Sequence, residues 1–494
     1  MTVPFAAIPN TLRLPFFFAE VDNSRANLGS RPQRTLIIGQ LGASATLAAN
    51  VPVLCEGKDW TRTTAGAGSM LADMVETYRA IDTFGETWLL PLADDPAGVA
   101  ATGSIAVSGT PTAGGVISLY LGGDLVSVPV TTTMTATDIA TALRAAITAG
   151  VDFLASAGGS GTTVALTAKN KGPLGNDIDL RLNYRGGRNG EANVPGVTLT
   201  LTPMASGATA PSLTNALLAL VDKDFDYYAF PYTDTTSLNA IQAFLALRWA
   251  WNRQQYGGAF GALRGTFGNL ATFGTARNDP RMTVMGFNGS PDPSWRWAAA
   301  YCAASAVSLR ADPGVPLQQL PLSGIKAPPI ESRFAMEDRN TLLFDGISTF
   351  SVADDGTVAI ERAITTYQKN AAGLPDDSFL DVERMFSLAY VLLDIRSYLQ
   401  SKYARCKLAD DGARLPPGTQ VLTPILLKAD IVARYRFNAQ LGYVQDVDSF
   451  KRDLVVERRA GNRGRLDVLW PVVVIDQLRQ IALLAQMRNA ASLG

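Results

Sequence analysis

Apolar runs of strand length alternate with apolar runs at helix spacing, and this alternation constrains the fold more than any other feature of the chain. "RTLIIGQ" (34–40) reads as a buried strand, "SMLADMVETYRAI" (69–81) as a helix and "ETWLLPL" (86–92) as a second strand. The alternation resumes downstream: "SLTNALLALV" is a helix and "DFDYYAFPY" a strand. "SLNAIQAFLALRWAWNRQQ" reads as a helix capped by Ser237, "RMTVMGF" as a strand and "WRWAAAYCAASAVSLR" as a further helix. Strands that alternate with helices predict an α/β fold, with a largely parallel sheet covered on both faces.

Residues 101–205 interrupt that pattern. The segment is rich in Gly, Thr, Val and Ala, and polar and apolar residues alternate in "VISLYLGGDLVSVPV", "TTVALTA" and "GVTLTLTPM". Only "ATDIATALRAAITA" has helical spacing, so a small β-rich domain is expected as an insertion. Beyond "AGLPDD", "SFLDVERMFSLAYVLLDIRSYLQSKY" predicts a long helix with Asp377 or Ser378 as its cap, and "TPILLKADIVARYRFNAQ" a second one. At the other end, Leu12, Leu14, Phe16 and Phe18 alternate at strand period around Pro15, which forbids a regular helix. Such a short strand ahead of any domain must pack on its own body or on another chain. The expected organisation is an extended arm at 1–30 and a discontinuous α/β domain at 31–100 and 206–375. The β-rich insertion occupies 101–205, and a C-terminal α+β domain ending in a terminal strand or arm occupies 376–494.

Composition removes several functions. The chain contains no histidine, hence neither the commonest general base nor the commonest metal ligand. A Ser-His-Asp or Cys-His arrangement cannot be assembled from it. Cys55, Cys302 and Cys406 are odd in number and far apart, which predicts buried thiols and no disulfide framework. A net charge of −1 argues against binding nucleic acid through bulk charge. No apolar run approaches the ~20 residues that cross a bilayer. Pro4, Pro9 and Pro15 break the N-terminal stretch, which lacks a basic start, so a cytoplasmic protein without a signal peptide is expected.

Four features invite a sharper reading. "TTAGAGSMLADMVETY" runs a glycine-rich turn into a helix, as phosphate-binding loops do. Yet Ser69 and Met70 follow Gly68 where a lysine is needed, and no strand directly precedes the turn. A structural turn is expected and no cofactor. The acidic doublets Asp94-Asp95, Asp354-Asp355, Asp376-Asp377 and Asp410-Asp411 sit beside Gly or Pro and read as turns, without the alternating ligands of a calcium loop. Trp249, Trp251, Trp295 and Trp297 lie on helices and read as core or subunit-contact anchors. "FKRDLVVERRAGNRGR" sets Lys451, Arg452, Arg458, Arg459, Arg463 and Arg465 against Asp453 and Glu457, either as a solvated face or as a surface for an acidic partner.

Several longer stretches carry a resemblance. "IPNTLRLPFFFAEVDNSRA" through "QRTLIIGQ", "GAGSMLADMVETYRA" with "WLLPL", "GTVAIERAITTYQKNAAGLPDDSFLDVERM", "SKYARCKLADDG", "FKRDLVVERR" and "GRLDVLWPVVV" resemble the tail sheath proteins of Mu-like contractile bacteriophages. The similarity spans nearly the whole chain and is weakest in 101–205.

The resemblance implies a central subtilisin-like or Rossmann-like parallel-sheet domain, an insertion facing outward and a C-terminal domain facing the tail tube. Subtilisin-like can describe only the fold here, because the triad's base is missing. It implies terminal arms that add strands to neighbouring copies. Leu12, Leu14, Phe16 and Phe18 would contact other subunits at one end, and Val468, Trp470, Val472, Val474, Ile481 and Leu483 at the other. The basic cluster would meet the tube or a neighbour. Family likeness favours a strand for 477–488, where periodicity also allows a helix.

The implied function is mechanical and not enzymatic: a helical homo-oligomer of stacked rings that contracts and drives the tube through the host envelope. Its partners would be the tube, baseplate and tail terminator proteins, with no direct nucleic-acid contact and no membrane insertion. It would be assembled in the host cytoplasm and carried in the virion. The sheath of a headless contractile particle, a β-rich adhesin and an α/β hydrolytic or nucleotide-binding enzyme are the alternatives.

Overall fold

The structure is a computed structural model that describes residues 32–220, 222–412 and 420–487. The proposed N-terminal arm residues Leu12, Leu14, Phe16 and Phe18 lie outside them. The chain divides into two compact units. One holds Gln33–Ala389 with the described residues from Val474 on, and the other holds Tyr390–Val473.

In the larger unit, six described strands form one sheet in the order Met282–Phe287, Gly258–Arg264, Tyr227–Ala229, Arg34–Gln40, Glu86–Leu92 and Val53–Leu54. Every neighbouring pair is parallel except the last, which is antiparallel. Leu36, Ile37 and Ile38 are all fully buried, as continuous apolar strands between two helical layers must be. Successive strand residues face opposite ways, and two tyrosines identify the layers. Tyr228 meets Phe244 of the helix Thr235–Trp249. On the other face Tyr227 adjoins Phe260, which packs edge-on against Tyr301 of the helix Ser294–Ala311. That second helix carries Ala298, Ala299, Ala300, Ala303 and Ala304, all buried, so it is enclosed nearly all round.

Two expectations need correction. Asp234, not Ser237, caps the helix Thr235–Trp249; its side chain accepts from Ser237 N–H at 2.9 Å. The long helix begins at Val382, several residues after the expected cap. Asp376 instead accepts from Ser378 N–H in a turn, and the backbone at Leu380 and Val382 is bonded to Thr365 and Ala363 in an extended stretch. The strand Gly258–Arg264 has no strong sequence signal, because "GAFGALR" lacks β-branched residues. Its glycines are there for space: a Cβ on Gly261 would stand 2.8 Å from Met282 Cε and 3.1 Å from the Phe230 carbonyl.

Between residues 100 and 205 the described strands form two further sheets. Val197–Ala205, Ala100–Gly109, Thr163–Lys171 and Ala155–Gly158 make one, and Asp124–Val130, Gly115–Leu121 and Leu180–Leu182 the other. All their pairings are antiparallel. The helix Ala136–Ala149 starts with a capping box between Thr135 and Asp138, and buries Ile139, Leu143 and Ile147 against them.

The smaller unit has its own core of Val391, Leu427, Ile431, Val432, Tyr435, Val444, Phe450 and Leu454. The helix Pro424–Gln440 supplies the centre, and Thr423 caps it. Tyr435 stacks on Phe450 with ring centroids 3.6 Å apart. A hairpin of Val455–Arg458 and Leu466–Leu469 closes the unit.

Candidate assembly surfaces

The glycine-rich turn is built for close packing. Gly66 and Gly68 have φ of +92° and +72°, in the left-handed region that favours glycine. A Cβ on Gly68 would collide with Lys169 Nζ and the Phe153 carbonyl, both from the segment that follows the helix Ala136–Ala149. Ser69 Oγ accepts from Ala72 N–H, while Met70 N–H donates to Asn170 Oδ1 at 2.8 Å. Amides that a phosphate would use are thus bonded to protein groups. Lys169 donates to the Ala67 and Val151 carbonyls, and its burial lowers its pKa.

The same segment is fastened to the sheet by charge. Arg296, on the first turn of the helix Ser294–Ala311, reaches Asp73 at 2.6 Å and Asp124 at 2.7 Å, with Asp292 at 3.3 Å. Its Nη1 also donates to the Gly122 carbonyl, and Trp295 Nε1 donates to Asp73 Oδ2. Burial alone would lower the Arg296 pKa, but the charges of Asp73 and Asp124 outweigh it and raise it. Burial pushes Asp292 up, against the opposing pull of Arg296 and Lys326. Nearby, Ser294 donates to Asp177 and Arg264 to the Asp177 carbonyl. Asp94, expected only as a turn residue, accepts from Gln40, Asn170 and Lys171 N–H, and so joins the first strand to the Thr163–Lys171 strand. Sequence reading missed the Arg296 centre. Its signal is the triplet Trp295-Arg296-Trp297 on an otherwise small and apolar helix, a cation that cannot be buried without acids.

The basic cluster splits in two. Glu457 stands directly opposite Asp467 across the hairpin, a like-charge pair that would repel. Arg465 and Arg459 answer it, reaching Asp467 at 2.6 Å and 3.0 Å and lowering its pKa. Arg458 pairs with Asp410 at 2.5 Å and also donates to the Arg463 carbonyl. Arg452 pairs with its neighbour Asp453. The side chains of Lys451 and Arg463 form no ion pair with a described residue. Each hairpin strand has only the other as strand partner among the described residues.

The residues named for the C-terminal arm also differ among themselves. Trp470 and Val472 pack on the core of the smaller unit, Trp470 edge-on to Phe450. Val468 is exposed on the hairpin, and Val474 is half-buried. From Gln477 to Met487 the chain is neither helix nor strand, which corrects both readings of this segment. It pairs with no described strand, and Leu478, Ile481, Leu483, Leu484 and Met487 all face solvent. Of the four tryptophans expected on helices, Trp295 and Trp297 are core and Trp249 is half-buried. Trp251 lies past the helix end and is 86% exposed.

Residues 206–366 match the family described as phage tail sheath protein central domain, and residues 375–488 the phage tail sheath C-terminal domain. The chain is 37% identical over 481 residues to the Mu-like prophage FluMu tail sheath protein of Haemophilus influenzae, covering 97% of this chain and 98% of that one. The chain belongs to the phage tail sheath family. It is a structural tail protein and part of a virion, and sheath proteins of this kind assemble into oligomeric tail structures. Two solved sheath tail proteins match over most of their length. The one from Desulfitobacterium hafniense is 14% identical with a TM-score of 0.49, covering 94% of this chain and 97% of that one. The one from Listeria innocua is 13% identical with a TM-score of 0.47, covering 92% and 94%.

Proposed function

We propose that copies of this sheath protein polymerise helically around the tail tube as stacked rings, and that the sleeve contracts to drive the tube through the host envelope. Identical copies joined head-to-tail by a rotation that does not close generate such a filament. Contraction requires two packings of one subunit, the extended one held by a kinetic barrier. The baseplate and tail terminator bound the sleeve, which is assembled in the host cytoplasm. In this reading 31–100 and 206–375 form a subtilisin-like domain, 101–205 faces outward and 376–494 faces the tube.

The observation that carries the reading is the exposed apolar segment Gln477–Met487. A row of solvent-facing apolar side chains on a backbone that pairs with no described strand suits strand addition, in which main-chain hydrogen bonds bind and alternate pockets specify. The hairpin, whose strands pair only with each other among the described residues, offers a matching acceptor. The N-terminal residues Leu12, Leu14, Phe16 and Phe18 are assigned the same role at the other end. Lys451, Arg452, Arg458, Arg459, Arg463 and Arg465 are the cations offered to acids on the tube or a neighbour, Lys451 and Arg463 without an ion pair among the described residues and the other four in surface pairs that a partner's acids can replace. The buried Arg296 centre supports a subunit whose insertion swings with the sheet as one body.

Electron microscopy of the purified protein tests this. Wild-type protein is expected to form sleeves, and a chain lacking residues 1–20 to remain a folded monomer. Normal sleeves from the truncated chain would refute the arm model.

A further inference from the structure

The C-terminal segment changes character at one residue. Up to Arg479 it is tied down. Asp476 pairs with Arg384 at 3.3 Å, and the Leu478 carbonyl accepts from Gln318 at 3.4 Å. Arg479 Nη2 then donates to Glu383 Oε2 at 2.9 Å and lies 3.1 Å from Asp381 Oδ1. Glu383 sits fully buried on the first turn of the helix Val382–Tyr403, and its other oxygen accepts from Leu317 N–H at 2.6 Å. Asp381 also receives Arg362 at 3.1 Å, so two guanidiniums face two carboxylates. The Arg479 side chain is only 14% exposed. Two residues later Ile481 is 81% exposed, and Met487 is 99% exposed.

We propose that Arg479, clasped by Asp381 and Glu383, is the fixed root of the C-terminal arm, and that the surface offered to a second copy of this chain begins at Gln480. The inference rests on the sheath reading above and adds where the arm leaves its own subunit. A buried carboxylate stripped of its only cation is costly, because neither water nor another charge replaces it. Lifting Arg479 would leave Glu383 without an ion-pair partner among the described residues. An arm that passes to a neighbour therefore does so without opening the clasp. A fixed root also narrows the directions the free residues can take, which lowers the entropy lost on docking. Beyond it, Ile481 and Leu483 fall on one face of an extended chain, as pockets along an open strand edge on the second copy require.

Trypsin reads this directly. The protease must draw an Arg or Lys side chain into its specificity pocket, and the tail beyond the hairpin holds two such sites, Arg479 and Arg488. With the purified full chain and mass spectrometry, cleavage after Arg488 is expected to be at least about tenfold faster than after Arg479. Glu383→Gln and Asp381→Asn are each expected to speed cleavage after Arg479 several-fold and to leave the Arg488 rate unchanged. Thermal melts confirm that each variant is folded, and either variant alone suffices if the other is not. Equal rates at both sites in the wild type would overturn the proposal, as would an unchanged Arg479 rate in a folded variant. The sheath reading is scored apart, by microscopy of the same variants. Sleeves from wild-type protein whose Arg479 is cut as fast as Arg488 would leave that reading standing and remove the root.

Discussion

The Arg296 centre and the 455–469 hairpin use the same two residue types, arginine and aspartate, for opposite ends. At Arg296 one largely buried guanidinium is shared among the buried Asp73 and Asp292 and the partly exposed Asp124. Its partners come from a helix of the sheet layer, from a strand of the β-rich segment and from the loop before its own helix. Separating them would leave Asp73 buried without its cation. On the hairpin, Arg459 and Arg465 share Asp467 at the surface, and Arg458 holds an Asp410 that is itself largely exposed. Water and salt can take over from any of these partners. Buried charge therefore fixes which parts of the subunit move together, whereas surface charge stays available for exchange with another molecule.

Replacing Arg296 by Met should have the largest effect. It keeps much of the side-chain volume but leaves Asp73 buried without its cation and Asp292 with Lys326 alone. Loss of one partner from a buried pair typically costs about 3–5 kcal/mol, and urea unfolding should move by that amount. Arg296→Lys should recover only part of the loss, since an ammonium cannot serve Asp73 through the two nitrogens that the guanidinium presents. A stability equal to wild type for Arg296→Met would make the centre no different in kind from the hairpin.

A smaller, pH-dependent effect is expected at Asp82. Burial alone would raise its pKa, but hydrogen bonds from Arg310 and Tyr78, the Arg310 charge and the Gly85 N–H outweigh it and lower it. A carboxylate with a depressed folded pKa adds stability that is fully present above the unfolded value of about 3.9 and lost as pH falls through the folded value. Asp82→Asn should therefore destabilise the protein at neutral pH by about 1.5–3 kcal/mol, the range for hydrogen bonds to a charged group. The gap between variant and wild type should close as acid protonates Asp82. A gap that persists below that range would assign the loss to packing.

Much of this frame is legible in the sequence, and what is not has a physical cause. The strands at Arg34–Gln40, Glu86–Leu92 and Met282–Phe287 announce themselves because parallel strands buried on both faces need unbroken apolar runs. Gly258–Arg264 stays hidden because tertiary crowding, not intrinsic preference, selects its glycines. The tail at 477–487 fits helix and strand alike. Periodicity describes which faces could be buried, and here nothing within the described subunit buries either one. The Arg296 centre joins residues separated by more than two hundred positions, a pairing that no local pattern encodes. The basic cluster is visible as composition, yet only the cross-strand register shows that Asp467 consumes two of its arginines.

The hairpin should give the smallest effect on the fold and a large one on assembly. Reversing Arg458 and Arg459 to Glu removes two surface pairs and sets new acids beside Asp410 and Asp467. Exposed pairs contribute little to stability in water, so the melting temperature of the isolated protein should hardly move. Sleeve formation should fail if these strands and their cations meet acidic groups on the tube or a neighbour. Raising salt should weaken assembly of the wild type in the same sense, by screening that attraction. A variant that assembles and contracts normally would show that the arginines act only within the hairpin, neutralising the repulsion between Glu457 and Asp467. A variant that no longer folds would place the hairpin with the buried centre and erase the distinction between them.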